Sequence, residues 1–245
     1  MRVLTLNAWG NNGPPERLPV LSEAIRALDP EILCLQEVPG EGFLSSLVRS
    51  LKYTSRFHAP ESWLAILSRF PASGHRIETY QTLSRLEPYR RQALLTELSL
   101  GSQSVWVATT HLAWQAGDDQ TRLAQAEELL QFVSTLGDNV LLSGDFNSPP
   151  ESEPIHKVCE TGFLDLFAEL HPEEPGITWD NQNPFIQSHS VRFPDRRIDY
   201  LFLRKKALHR LPPLECRIAC KTPSAELYPS DHYGVFARLS RMNPA

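Results

Sequence analysis

Cysteine is scarce in this sequence, with four residues in 245, at Cys34, Cys159, Cys216 and Cys220. They are unevenly spaced and form no paired CxxC, so a structural zinc site is not indicated. Cys34, inside the apolar run EILCLQEV, reads as a small core residue. The count neither requires nor excludes disulfides, and a reducing compartment is the simpler expectation. No apolar run approaches the ~18 residues of a membrane span. The opening MRVLTLNAWG leaves no room for a secretory signal, so the chain is expected in the cytoplasm without stable membrane insertion. Positive charge is in short supply too: 24 Lys and Arg stand against 29 Asp and Glu. That balance argues against a protein that coats long nucleic acid, although a local basic groove is compatible with it. There is no GxxxxGK[ST] loop, no GxSxG elbow and no HExxH, which leaves nucleotide-driven phosphotransfer, acyl hydrolysis and zinc chemistry unsupported. No repeat, low-complexity tract or Gly/Ser linker divides residues 1–245, which read as one domain.

What the chain does have is apolar runs alternating with amphipathic stretches. RVLTLN (2–7) is a strand ending at Asn7, and EILCLQEV (31–38) is a nearly continuous buried strand ending in Gln36-Glu37. WLAILSR (63–69), RQALLTELSL (91–100), SVWVATTHL (104–112), NVLLSGDFN (139–147), RRIDYLFLR (196–204) and YGVFARLS (233–240) read as further strands. PERLPVLSEAIRALD (15–29) repeats Leu18, Leu21, Ile25 and Leu28 on one helical face, with Pro15 near its start. EGFLSSLVRSL (41–51), DQTRLAQAEELLQFVSTL (119–136) and ESEPIHKVCETG (151–162) are three more helices. Asp119 is the expected N-cap of the longest, and Gly162 closes the last. The pattern predicts an α/β fold, and hairpin-compatible neighbours argue for mixed rather than all-parallel sheets.

Polar residues fall at the ends of these strands. Asn7, Glu37, Thr110-His111, Asp145 and Asn147 each close an apolar run, and PSDHYG (229–234) leads into the last strand. Each has a bland reading alone: Asp145 and Asn147 suit a turn, a Glu after a strand caps a helix, and a single histidine is usually structural. Asp199 is flanked by apolar neighbours, and a buried carboxylate needs a cation, an imidazole or a metal beside it. Together the set suits metal-assisted hydrolysis of a phosphate ester. Oxygen donors such as Glu37 and Asp231 select Mg²⁺ or Mn²⁺. An aspartate beside an amide can deprotonate a water, and an imidazole held by a buried carboxylate can stabilise developing charge.

In chain order, LTLNAWG, LCLQEV, TTHL, SGDFN, RRIDYLFL and PSDHYGVFARL resemble the motifs of the endonuclease/exonuclease/phosphatase superfamily, the pancreatic-deoxyribonuclease-like fold. The resemblance runs from residue 3 to about residue 240. It implies a four-layer sandwich, two packed mixed sheets flanked by helices, with the active site at one end. It also implies that Asn7 and Glu37 are the primary metal and phosphate positions, with Asp231 a further metal-associated carboxylate. By the same resemblance, Asp145 orients or deprotonates the attacking water and Asn147 binds the phosphate. His232 is the phosphate-contacting imidazole paired with Asp199, and His111 matches the histidine of the deoxyribonuclease, sphingomyelinase and phosphatase branches. The TWD at 178–180 is similar to the 5′-tyrosyl-DNA phosphodiesterases and neutral sphingomyelinases. Ser148-Pro149-Pro150 stands where the first of these normally carries an arginine.

The expected activity is a Mg²⁺- or Mn²⁺-dependent phosphodiester hydrolase, working as a monomer by in-line attack of an activated water. Its expected substrates are nucleic-acid ends, of the 5′-tyrosyl-DNA kind, or another phosphodiester. A sphingomyelinase-like or small-molecule phosphodiesterase stays open as an alternative. So does a phosphomonoesterase, which would want a denser Lys/Arg pocket; a non-catalytic binding module is disfavoured by the intact residue set. Arg91 and Arg197 are the candidate substrate arginines, Arg197 for its place beside Asp199, whereas Arg90 and Arg196 read equally well as solvated residues. Trp179, with Asn181 nearby, is the expected exposed aromatic for the leaving group, against a core-aromatic reading.

Overall fold

The computed structural model describes residues 1–224 and 226–240. In chain order the elements begin with β1 (Arg2–Asn7), α1 (Arg17–Leu28), β2 (Ile32–Gln36), α2 (Glu41–Leu47), β3 (Ser55–Ala59), β4 (Leu64–Ser68) and β5 (Ala72–Thr79). Next come β6 (Gln92–Leu100), β7 (Gln103–His111), α3 (Asp119–Ser134), β8 (Val140–Asp145), α4 (Glu153–Glu160), β9 (Phe163–Asp165) and α5 (Leu166–Leu170). β10 (Asp199–Arg204), β11 (Pro213–Ala219) and β12 (Gly234–Leu239) complete the set. The strands form two six-stranded sheets, ordered β11-β12-β1-β2-β4-β3 and β5-β6-β7-β8-β10-β9. Each sheet holds one parallel pair, β1/β2 or β7/β8, among antiparallel neighbours. A helix joins the strands of each pair, α1 in one and α3 in the other, as a parallel crossover requires.

The central strands are covered on both faces, which is why they read as continuous apolar runs. Leu4, Leu6, Leu33 and Leu35 pack with Leu21, Ile25 and Leu44 of α1 and α2. Leu95, Leu142 and Phe202 pack with Leu129, Ile155 and Val158 of α3 and α4. Alternate residues, among them Val3, Ile32, Val107, Leu141 and Leu201, meet between the sheets. The result is the expected four-layer α/β sandwich.

Along these inward rows the chemistry changes toward one end. Val3-Thr5-Asn7, Ile32-Cys34-Gln36, Val107-Thr109-His111 and Leu141-Ser143-Asp145 each pass from apolar to polar in steps of two residues. Gln36 Nε2 crosses the layer to donate to Thr109 Oγ1 at 2.8 Å, tying the sheets together behind the polar end. The parallel pairs end level, with Asn7 registered on Gln36 and His111 on Asp145. Asp199, the first residue of β10, also stands opposite Asp145. Gly144 is required for this packing, since a Cβ there would lie 2.1 Å from the Thr110 carbonyl oxygen.

The four strands the sequence did not reveal, β3, β5, β9 and β11, are the four sheet edges. β5 shows its side chains mostly to solvent and β9 is three residues long, so neither carries an apolar run. RRIDYLFLR also joins its sheet late: Arg196 pairs with Trp179 instead, and the strand starts at Asp199. Asp119 is the first residue of α3 rather than its N-cap, with its carboxylate on Arg122.

Candidate active site

The polar ends of both sheets open into a cleft of about 420 Å³. Asp145 stands at its centre, 1% exposed. Its Oδ1 accepts the Asn147 backbone N–H at 2.9 Å. Its Oδ2 accepts Asn7 Nδ2 at 3.1 Å, and the Nε2 atoms of His111 and His232 lie 3.4 and 3.8 Å from the same oxygen. Burial, followed by the charge of Asp199, pushes the Asp145 carboxyl up to about 7 against the pull of His232, Asn7 and the Asn147 N–H. Such a carboxylate is a stronger base than a free aspartate, which suits deprotonation of a water. Asn147 itself is in the left-handed region (φ 51°), where its Nδ2 donates to the Leu112 carbonyl at 3.2 Å. Trp9, Glu37 and Trp63 are left-handed as well and line the same cleft, so backbone strain collects here.

His232 approaches from the segment before β12, and its Nδ1 lies 2.9 Å from Asp199 Oδ2. Thr178 Oγ1 fixes this partner by accepting the backbone N–H groups of Ile198 and Asp199. Burial works against a charged imidazole at His232. Asp199, Asp145 and Asp231 outweigh it and hold the pKa well above the ordinary histidine value. His111 is pushed the other way, well below that value, by burial and by the charges of Arg91 and His232. Two imidazoles beside one carboxylate therefore carry different charges at neutral pH.

A second acidic group faces this one. Asn7 Nδ2 also donates to Glu37 Oε1 at 3.1 Å, so one amide bridges Glu37 and Asp145. Burial and the charge of Asp231 raise the Glu37 pKa, outweighing Asn7, His232 and Arg91. Asp231 Oδ2 lies 2.8 Å from His189 Nε2. The backbone carbonyls of Ser230 and Asp231 both accept from buried Asn183 Nδ2, at 2.8 and 3.2 Å. Arg17, fully buried, donates to the carbonyls of Ala8, Trp9, Gly10, Asn12 and Pro229. It thereby stitches the β1–α1 loop to the segment that carries Asp231 and His232. Sequence reasoning missed Arg17 and His189. The available signal for Arg17 was a charge in the apolar stripe, because Arg17, Leu21 and Ile25 repeat every four residues on the buried face of α1.

Two residue groups offer metal-ligand atoms. Those of Asp145, Asp199 and His232 lie within 4.8 Å of one another. His232 is engaged by Asp199 and held as a cation, so this trio reads as an ion-paired relay rather than a cage. Asp231 is buried and Glu37 half-buried, the charge of Asp231 works against ionisation of Glu37, and among the described residues neither pairs with a Lys or Arg side chain. Oxygen donors short of positive charge fit a hard divalent cation such as Mg²⁺ or Mn²⁺.

The expected substrate contacts divide. Arg91 lines the cleft, with its Nε 2.7 Å from Glu87 Oε2. Trp179 lines it too, but it is 7% exposed, packs on Ile186 and Ile198, and stands edge-on to His232 with ring centroids 5.1 Å apart. That corrects the expectation of an open aromatic platform. Asn181 is tied to Asp195 and the Phe193 carbonyl and lies outside the cleft lining. Arg197 is likewise outside it: Asp165, at the α5 N-terminus, takes its guanidinium in a buried ion pair over the Tyr200 ring. Its neighbour Arg196 lines the cleft instead.

A mixed two-sheet sandwich with acids, amides and imidazoles gathered at one end defines the class. Residues 4–232 match the Endonuclease/Exonuclease/phosphatase family, and the chain belongs to that family. It is 28% identical over 250 residues to Protein angel of Drosophila melanogaster, covering 86% of this chain and 67% of that protein. Human Nocturnin is 26% identical over 260 residues, covering 92% of this chain but only 58% of the relative. The solved structure of D. rerio TDP2 complexed with single strand DNA product superposes with a TM-score of 0.81 at 20% identity, over 98% of each chain. The human Nocturnin catalytic domain with bound sulfate anion gives 0.75 at 21% identity, over 99% of this chain and 94% of that one. At these identities the two structures establish the shared fold.

Proposed function

We propose that this chain is a divalent-cation-dependent phosphodiester hydrolase. The observation that carries this reading is the convergence on one carboxylate: Asn7, His111 and His232 all approach Asp145 Oδ2, while Asp199 backs His232. In this reading Asp145 takes a proton from a water as the water attacks phosphorus, and the ester oxygen leaves on the opposite side. The His232 imidazolium, oriented through Nδ1 by Asp199, offers Nε2–H to a phosphate oxygen as charge builds. Asn7 holds Glu37 and Asp145 apart by donating to both, and Asn147 orients Asp145 through its backbone N–H. Glu37 and Asp231, with Asn7 beside them, would hold a Mg²⁺ or Mn²⁺ ion, which when bound supplies charge neutralisation at the phosphate.

Two features support a diester over a monoester. Arg91 is committed to Glu87, so the cleft is not crowded with free cations for a dianion. Its wall is aromatic instead, with Trp63, Tyr89 and Trp114 accessible to a bulky leaving group while Trp9 and Trp179 are buried. The single-strand DNA product in the TDP2 structure makes nucleic-acid ends the first substrates to try. The test is a panel with Mg²⁺ or Mn²⁺: bis-p-nitrophenyl phosphate, p-nitrophenyl phosphate, single- and double-stranded DNA, a 5′-tyrosyl oligonucleotide and sphingomyelin. At least one diester should turn over about tenfold faster than the monoester. A monoester cleaved faster than every diester would overturn the reading.

A further inference from the structure

We infer that Arg196, braced by Phe193, is a second anion subsite that holds a negative group flanking the scissile phosphate. The inference rests on the phosphodiesterase reading above and specifies the substrate class: a diester with a further phosphate next to the one cleaved.

The geometry comes from three short segments. Trp179 forms antiparallel bridges with Arg196 on one side and His232 on the other. Directly opposed residues in antiparallel pairs project to the same face. His232, Trp179 and Arg196 therefore form a row, and all three line the cleft. Neighbouring strands lie ~5 Å apart, which places Arg196 two spacings, ~10 Å, from His232 along the backbone. A group bound at Arg196 is thus offset from one bound at His232, with an indole between them.

The chemistry of the row points to a ligand. The Arg196 guanidinium has no hydrogen-bond or ion-pair partner among the described side chains, and its buried Nε is unsatisfied. Its one side-chain brace is the Phe193 ring, 3.7 Å below the guanidinium carbon. Trp179, though buried, has an indole Nε1 with no acceptor. An unpaired, half-buried cation is costly unless an anion arrives to meet it. Arg90, the other arginine on this wall without a carboxylate partner, already donates to the Tyr80 carbonyl. Arg196 is the free arm.

The test compares dinucleotides that share one scissile linkage: TpT, and the same molecule with a 5′- or a 3′-terminal phosphate. With Mg²⁺, the wild-type protein should cleave one phosphorylated form with kcat/KM at least tenfold above that of TpT, mainly through KM. In Arg196→Gln that preference should fall to about twofold or less. For binding of a short single strand, the salt dependence should lose about one phosphate contact in its slope. Arg196→Lys, which keeps the charge, should retain part of the preference. An undiminished preference in Arg196→Gln overturns the subsite, and an equal loss on TpT itself moves Arg196 to the scissile phosphate. If Arg196→Gln does not fold, Phe193→Leu removes the brace and should cut the preference three- to tenfold; no change there is equally fatal. Wild-type hydrolysis of bis-p-nitrophenyl phosphate is the separate check: its absence with every diester sinks the phosphodiesterase reading rather than the subsite.

Discussion

The two sheets end in different chemistry. The first presents oxygen donors: Asn7 and Glu37 at the β1/β2 pair, and Asp231 before β12. The second presents Asp145, the proposed base, with His111 and Asp199 around it, at the ends of β7, β8 and β10. His232 belongs to the first sheet by chain and to the second by its bond to Asp199. The Gln36–Thr109 hydrogen bond ties the polar ends of the two sheets together. Under the proposed roles, cation binding and proton transfer sit on separate scaffolds, so substitutions in the two should fail in different ways.

The largest effect is expected on the second sheet. Asp145→Asn should lower kcat by ~10³ or more, the scale for losing a base and its electrostatics together. Its Mg²⁺ affinity by calorimetry should stay within about threefold of wild type. Asp199→Asn should cost on the order of 10² in kcat by loosening His232, and should shift the pH profile. A rate within threefold of wild type, only ~0.6 kcal/mol of barrier, would break the pairing.

On the first sheet the order of effects reverses. Glu37→Gln should weaken Mg²⁺ binding by roughly 10–100-fold, while kcat at saturating metal recovers most of its value. A Glu37→Gln variant with unchanged Mg²⁺ affinity and a collapsed kcat would erase the contrast between the sheets.

The smallest effect concerns stability without metal. Asp145 and His232 bind protons more tightly in the folded state than their free counterparts. Their contribution is complete below the unfolded values, ~3.9 and ~6.5, and is lost as pH rises through the folded ones. His111, held low, acts in the opposite sense, but its effect is finished by pH ~6.5. Above that pH only the losses remain. In EDTA, Tm should fall between pH 6.5 and 8.5 by roughly 2–4 °C or more, and saturating Mg²⁺ should flatten the fall. A Tm that rises over this interval in EDTA would contradict the charge states assigned to Asp145 and His232.

How much could be read in the sequence follows from burial. Strands covered on two faces, such as ILCLQ and VLLSGD, declare themselves as apolar runs, and their polar ends mark the cleft. Edge strands such as ASGHRIET face water and carry no such pattern. Residues fixed by local chain direction, Asn7 and Asp145, could be placed at strand ends from spacing alone, whereas Asp199 read as interior to its strand and proved to be its first residue. Side chains whose partners lie far along the chain could not be placed this way. Arg197 was favoured over Arg196 because of its neighbour Asp199, yet Asp165, 32 residues away, takes it out of the cleft. Trp179 looked exposed because asparagines surround it, but Ile186 and Ile198 bury it.

The most direct test of the central claim is turnover of bis-p-nitrophenyl phosphate after metal removal. Protein treated with EDTA and desalted should lose activity by at least ~10²-fold and regain it on adding Mg²⁺ or Mn²⁺. Glu37→Gln should shift the activating concentration upward, and Asp199→Asn should leave that concentration in place with a lower ceiling. Full turnover in protein shown by elemental analysis to contain no metal would contradict the account.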